Sequence, residues 1–595
     1  MQILEKDLVK FKKLGIKNLI ELSLILPSSY EDRTLYNTPL ISKNQLLDVE
    51  IKNFSFNPKF IKLRLFCFNL NQEIDAVIFR PKSYHQAQFI VGMRAFIFGK
   101  VEMNFSTLQI VQPKIVQTSG GVEAIYKTVL RADVMKRLIQ KYISVQNLVD
   151  AGLKEEVSEK IYELHFPTSM PTEDKQTLDA LKFAEMYNYL KLLKSKKESY
   201  PALKSFNEEF ESWTKLLPFT LTNDQLRAIK KIQKDFSKDI AARRMIVGDV
   251  GSGKTMVILA SAYMARKFGS VLMAPTTVLA NQLFEEAKKF LPDEMKIALV
   301  TNKSKKEDLS EYDFLIGTHA LLYRELKDFA LVMIDEQHRF GTAQRNKLSK
   351  LLEQEDKRPH FLQFSATPIP RTQAMINSTL LDVSLIEETP FEKDIDNIVI
   401  HKQDFAELLE HIKQEIELNH QILIVYPLVE QSEAINYQSL EEARGFWEKN
   451  FDNVYLTHGK DKEKEQVLID FRQKGDILLA TTVVEVGISL PELTTVVIVG
   501  AERLGLSTLH QLRGRVSRTG LKGYCYLYTN TQKSPRLDSF AVTSSGFDIA
   551  RLDLQYRKSG DLLGGSEQSG ISFKFIDMAE DETIISEVQS CLLRG

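Results

Sequence analysis

Residues Gly248 to Thr255 read GDVGSGKT, a full match to GxxxxGK[ST]. An apolar run, Met245-Ile246-Val247, precedes them, and an apolar stretch suited to a helix, TMVILASAYMA, begins at Thr255. A strand that ends on such a loop and opens into a helix leaves the surrounding chain few alternatives. The glycines let successive backbone N–H groups close around an anion, and the helix that follows adds the positive end of its dipole. The stretch predicts a nucleotide phosphate site built from Gly248, Asp249, Val250, Gly251, Ser252, Gly253, Lys254 and Thr255. Lys254 is expected to reach the β- and γ-phosphates of ATP, and the Thr255 hydroxyl to face Mg²⁺.

The neighbouring pattern agrees with this loop. Apolar segments MIVGD, SVLMAP, FLIGT, LVMIDE and FLQFSAT alternate with helical stretches between residues 216 and 392. A second series, IVIHK, ILIVYP, VYLTHG, ILLATT, TVVIVG and CYLYTN, occupies 393–535. Alternation of this kind predicts two doubly wound parallel sheets in tandem. The strand Leu331–Ile334 ends on Asp335-Glu336. After a phosphate loop, the first acid suits Mg²⁺ and the second can orient an attacking water. Phosphoryl transfer also needs positive charge at the γ-phosphate. Gln511-Leu512-Arg513-Gly514-Arg515-Val516-Ser517-Arg518 offers Arg515 and Arg518, three apart and so expected on one helix face. If those arginines reach the phosphates, ATP lies in a cleft between the two α/β domains, and hydrolysis moves the domains.

The other regions differ in character. Residues 1–45 read as short helices, with Leu4, Leu8, Phe11 and Leu14 at helical spacing before Gly15. Residues 46–120 hold short β-branched and aromatic segments, which predict a small OB-like β-barrel. Residues 121–215 read as charged helices forming a linker, and 536–595 as mixed helix and loop. The 595 residues carry 78 Lys+Arg against 79 Asp+Glu, so any nucleic-acid surface must be a local basic patch. Three scattered cysteines, Cys67, Cys525 and Cys591, form no CxxC pair, which fits reduced thiols and excludes a zinc-binding cysteine cluster. No apolar run is long enough to span a bilayer, and the N-terminus has no signal-peptide character. A cytoplasmic location with no membrane partner is expected.

Asp335-Glu336-Gln337-His338, Ser365-Ala366-Thr367-Pro368-Ile369-Pro370-Arg371-Thr372 and Gln511–Arg518 resemble motifs II, III and VI of superfamily 2 helicases. Narrower matches are Arg339-Phe340-Gly341 with Gln344-Arg345, Thr481–Gly487, and Glu502-Arg503-Leu504-Gly505-Leu506, which resemble the RecG family. Thr222-Asn223-Asp224-Gln225 is similar to the adenine-reading Q motif, with Gln225 as the base contact. MAPTTVLANQ and IGTHALL resemble DNA-contacting motifs. FKKLGIKNLIELSLILPSSYEDR and GKVEMNFSTLQIVQPKIV resemble the family's lead-in and wedge barrel, and Asp553–Gly564 with Gln568-Ser569-Gly570 resembles its translocation motif. Lys558 after Arg557, Glu567 before Gln568, and the linker IEETPFEKDIDN depart from the family pattern.

The resemblance implies an OB-like wedge, two RecA-like motor domains and a C-terminal helix/loop translocation motif. It implies an ATP- and Mg²⁺-dependent helicase, with Gln337 and His338 joining Lys254, Asp335, Glu336, Arg515 and Arg518 in catalysis. Arg536, Arg557 and Gln568 carry over as coupling residues. Phe79 and Tyr84 carry over as rings that cap an opened base pair, though Phe79 also suits a barrel core and Tyr84 a loop. Arg80, Lys82, Arg94 and Lys100 could meet phosphates without reading sequence. The implied substrate is branched double-stranded DNA, forks and Holliday junctions, acted on by a monomer. A single-strand DNA-binding protein is a candidate partner. A transcription-repair coupling motor is the near alternative, but it needs modules for which the residues before the motor leave little room. A P-loop scaffold without strand-moving activity is the alternative from another class.

Overall fold

The computed structural model describes residues 3–594 apart from 106, 173, 305–307, 327–328, 337–339, 341–343, 345–346, 349–355, 392, 429–436, 460, 462, 482–489, 518–519 and 565–572, and without the side chains of 557–564 and 594. The chain forms two compact units. One is Met1–Leu192 with Ser572–Asp577 and Thr583–Gly595; the other is Leu193–Ile571 with Met578–Glu582.

In the first unit, β1 (Ser29–Asp32) pairs antiparallel with β7 (Val122–Ile125). Between them β2 (Asn44–Asn57), β3 (Phe60–Cys67), β4 (Gln72–Phe79), β5 (Arg94–Asn104) and β6 (Thr107–Val116) close into a barrel in the order β2-β3-β4-β6-β5. The alternation in these strands is the cause. Ile61, Leu63 and Leu65 point inward from β3 while their neighbours face out, and Ile74, Ile78, Ile97 and Ile110 join them in the core. Closure uses the parallel β4–β6 pairing and register shifts in β2 and β5, which bend the strands. The expected OB-like barrel is therefore present.

Residues 1–45 are not helices alone, and 121–215 are not helices alone. β1 and β7 were too short and too polar to show a strand pattern, and their pairing frames the barrel. The helix Glu5–Leu14 is held by the buried Asp7, which accepts from Lys10 at 2.6 Å, Lys141 at 2.5 Å and Tyr142 at 2.8 Å. Hydrogen bonds from Lys10 and Lys141 hold this carboxyl far below the usual carboxylate range, against the opposing effect of burial.

The second unit contains two parallel sheets. The first has the order β10-β11-β9-β12-β13-β8-β14, with β8 (Arg243–Gly248), β9 (Ser270–Met273), β10 (Ile297–Val300), β11 (Phe314–Gly317), β12 (Leu331–Ile334), β13 (His360–Ser365) and β14 (Asp382–Ile386). The second has the order β15-β20-β19-β16-β18-β17, with β15 (Ile395–Ile400), β16 (Gln421–Val425), β17 (Val454–Thr457), β18 (Ile477–Ala480), β19 (Leu493–Val499) and β20 (Gly523–Tyr528). Central strands such as β9, β11, β12 and β18 are buried along their whole length, because helices cover both faces. All strands of each sheet run the same way, so β8 and β12 deliver Gly248 and Asp335 to one edge.

The tail does not behave as one appendage. The helices Pro535–Val542 and Gly546–Gly564 form a hairpin, pinned where the Tyr556 hydroxyl donates to the Pro535 carbonyl at 3.0 Å. Met578 returns to the motor, accepting from the Thr372 hydroxyl at 2.6 Å. The helix Glu582–Arg594 lies largely in the first unit, where Lys154 pairs with Glu587. No helix among the described residues is long and apolar enough to cross a membrane.

Candidate nucleotide site and its surroundings

Gly251 and Gly253 have φ of 84° and 71°, the left-handed region that glycine enters without strain. Gly253 serves as N-cap of the helix Lys254–Met264. Lys254 folds back on the loop, donating to the Gly248 and Asp249 carbonyls at 2.9 and 3.0 Å. The Ser252 hydroxyl is buried and has no hydrogen-bond partner among the described residues. Gln225 sits where a side chain on Gly253 would be. Its amide donates to the Ser252 carbonyl at 2.8 Å, while its oxygen accepts from Thr222 N at 2.9 Å as half of a capping box.

Asp335 is buried at the end of β12. Burial and the adjacent Glu336 carboxylate push its carboxyl well above the ordinary range, with Lys254 opposing. Glu336 has φ of 49° and accepts from Ala366 N at 3.2 Å, joining the Asp-Glu pair to the Ser-Ala-Thr segment. Thr367 in turn accepts from the Gln511 amide at 2.9 Å, which reaches across from the second sheet domain. Gln337, His338 and Arg518 lie outside the described residues, as do Gln568 and the side chain of Arg557.

Arg515 stands beyond the end of a helix, and its expected partner Arg518 lies outside the described residues. The helix Leu506–Arg513 ends at Gly514, Arg515 lies in the turn that follows, and Ser517 has φ of 58°. The turn is still close to the phosphate loop. A Cβ on Gly514 would stand 2.6 Å from Val250 Cγ1, so glycine is required for the second domain to seat on the loop.

The Asp249 side chain is taken up by donors of the protein itself. Its side chain accepts from Val250 N at 2.6 Å, from Gly546 N at 2.7 Å and from His510 Nε2. Burial would raise its pKa, but the His510 hydrogen bond, with the two backbone donors, holds it below the ordinary carboxylate range. His510 is pushed below its ordinary value, chiefly by burial. Arg513 Nη2 donates to His510 Nδ1 at 2.8 Å, which leaves the ring proton on Nε2, facing Asp249. Arg513 also donates to the Thr543 and Ser544 carbonyls at 2.7 and 2.9 Å.

Lys393 was missed in the sequence. Its Nζ donates to the Val250 carbonyl at 2.9 Å, and a Cβ on Gly251 would meet its Cε at 2.9 Å. A lysine in an irregular linker carries no local signal of such a contact. Arg536 donates to the Glu502 carbonyl and so braces the Glu-Arg-Leu-Gly turn.

On the barrel, Phe79 is 52% exposed and Tyr84 51%, so Phe79 is not a core residue. It closes β4 opposite Phe60 of β3, itself 38% exposed, and sequence reasoning overlooked that partner. Tyr84 lies on the short helix Ser83–Gln88, its ring 4.2 Å from that of His85. Arg80 and Lys82 are exposed between the two rings in sequence. Arg94 and Lys100 are instead engaged, Arg94 with Asp48 at 2.7 Å and over the Phe68 ring, Lys100 with Glu102 at 2.7 Å.

Residues 222–376 match the DEAD/DEAH box helicase family and 403–520 the helicase conserved C-terminal domain. The chain is 45% identical over 605 residues to the ATP-dependent DNA helicase RecG of Helicobacter pylori strain 26695, covering 98% of this chain and 97% of that one. It is 32% identical over 654 residues to the RecG of Aquifex aeolicus, covering 98% and 82%. A solved structure described as RecG bound to a three-way DNA junction superposes with a TM-score of 0.57 at 26% identity, covering 98% of this chain and 84% of that one. The chain belongs to the RecG family of ATP-dependent DNA helicases.

Proposed function

We propose that this helicase is a translocase on double-stranded DNA that unwinds and regresses branched DNA, stalled forks and Holliday junctions, in recombination and repair. The observation that carries the motor half is the seating of Gly514 on Val250, with Gln511 bonded to Thr367 beside it. ATP held on Lys254 and the loop N–H groups is then sensed by both sheet domains, so its hydrolysis changes how they meet. Glu336, held by Ala366 N, orients the attacking water, and Arg515 lies in the turn that touches the loop.

The donor set suits Mg²⁺: the buried Asp335 carboxylate and the Thr255 hydroxyl are hard oxygens. Asp335 and Thr255 would hold the ion, which would supply positive charge to the nucleotide phosphates. Gln225 reads the adenine, and Arg536, Arg557 and Gln568 couple turnover to movement.

The barrel serves as the wedge. Phe60, Phe79 and Tyr84 offer exposed ring faces on which an opened base pair can stack, each ring contributing ~1–3 kcal/mol. Arg80 and Lys82 meet phosphates. The protein acts in the cytoplasm as a monomer, with a single-strand DNA-binding protein as candidate partner. The test is unwinding of a synthetic Holliday junction by the full chain with ATP and Mg²⁺. Strand separation that needs ATP is expected. DNA-stimulated ATP hydrolysis that leaves junctions and forks intact overturns the reading.

A further inference from the structure

Three elements that are remote in sequence converge on one carboxylate inside the phosphate loop. Asp249 belongs to the loop, His510 to the helix Leu506–Arg513, and Gly546 begins the helix Gly546–Gly564. Asp249 and His510 are 8% and 5% exposed. Arg513 closes the arrangement into a ring, since it holds His510 Nδ1 and the carbonyls of Thr543 and Ser544 just before Gly546. Gly546 is needed for the approach. A Cβ there would lie 2.5 Å from Pro368 Cγ and 2.6 Å from both Asp249 Oδ1 and His510 Nε2.

A negative side chain in a loop that binds polyphosphate is an anomaly. Its charge opposes the nucleotide unless other groups absorb it. Here the imidazole N–H, the backbone N–H groups of Gly546 and Val250 and the positive end of a helix dipole do so. All but the Val250 N–H are contributed by segments beyond residue 500. We propose that Asp249 is an electrostatic gate. The loop accepts ATP tightly only while the His510 helix and the start of the Gly546–Gly564 helix are docked on Asp249, and undocking frees a carboxylate that expels the nucleotide. Asp249 is thus a positioning residue and not a phosphate ligand. By reciprocity, bound ATP holds the Gly546–Gly564 helix in its docked place. This extends the motor reading above, because that helix carries Arg557.

The test measures affinity for a fluorescent ATP analogue, KM for ATP and junction unwinding in the full chain. Gly546→Ala is expected to force the helix off the carboxylate and weaken nucleotide binding by about tenfold or more, the scale of one poorly screened charge. Adding Asp249→Asn removes the charge and is expected to restore the affinity without restoring unwinding. Unchanged affinity in Gly546→Ala overturns the gate. So does a loss that Asp249→Asn fails to rescue, since that is steric damage to the site. If Gly546→Ala does not fold, His510→Ala removes the second donor and is read by the same rescue. Failure of wild type to unwind junctions would count against the branched-DNA reading alone, because the gate is read from nucleotide affinity.

Discussion

Gln225 donates its side-chain amide to the Ser252 carbonyl at 2.8 Å while its oxygen holds Thr222 N. One residue therefore caps its own helix and grips the phosphate loop. The two duties can be separated. Gln225→Glu keeps an acceptor for Thr222 N but cannot donate to Ser252. We expect its unfolding midpoint to stay near wild type while KM for ATP rises about tenfold and the preference for ATP over GTP falls. An unchanged ratio of ATP to GTP turnover would remove Gln225 from base reading.

Lys254 lies on the carbonyls of Gly248 and Asp249 and must transfer to phosphate when ATP enters. Lys254→Ala is expected to cut ATP turnover by about 100-fold or more, the usual cost of deleting a preorganised charge at the transferring group. Steady-state ATPase assays with junction DNA present check this. Turnover within a few fold of wild type contradicts the loop's assignment.

Lys393 adds a second ammonium to the same loop through Val250. Lys393→Ala is expected to raise KM for ATP about fivefold with a smaller change in kcat, and Lys393→Arg to recover most of it, since loss of one charged contact is worth ~1 kcal/mol. An effect confined to kcat would argue instead for a role in domain movement.

Phe60 and Phe79 face each other at the end of β3 and β4 with their rings in solvent. Phe79→Ala should lower affinity for a three-way junction by about five- to fiftyfold while changing stability by under about 1 kcal/mol. The double variant Phe60→Ala/Phe79→Ala should be weaker still. Equal affinity of all variants, measured by fluorescence anisotropy at fixed salt, would assign the rings no part in the DNA contact.

Acid should loosen the first unit through His165. Burial pushes this imidazole down to about 4 from its usual 6.5, although its Nε2–H donates to the Ser23 carbonyl and Nδ1 accepts from the Tyr126 hydroxyl. Between pH 6.5 and 4 the unfolded chain binds a proton that the folded one refuses. Stability is therefore full above pH 6.5 and falls toward pH 4, by up to ~1.4 kcal/mol per pH unit. His360, held at about 4 by burial, adds a like contribution in the second unit. Urea midpoints at pH 7 and 5 measure the drop, which should be smaller by about one proton's worth in His165→Gln. An identical pH slope in that variant excludes His165 as a source.

Local rules made the motor's outline readable in the chain. Eight residues with glycines at the left-handed positions are enough to specify a phosphate loop, and continuous apolar runs mark the central strands. Edge strand β14 was missed because Asp382 and Ser384 break the apolar run in DVSLI, and β10, IALV, is only four residues long and mostly half-buried. Arg515 is not on the helix Leu506–Arg513, because Gly514 caps that helix one residue earlier. Non-local packing settled what no window of sequence contains. Asp249 reads as a variable position within the motif, yet its partners lie 261 and 297 positions away. Gly514 and Gly546 have meaning only through the atoms a Cβ would strike. The sequence by itself determined the shape of the Gly248–Thr255 loop, since that is set by backbone curvature at its glycines. Which distant helices lean on the loop was decided by the tertiary structure, since burial of a carboxylate requires donors that only the folded chain brings to it.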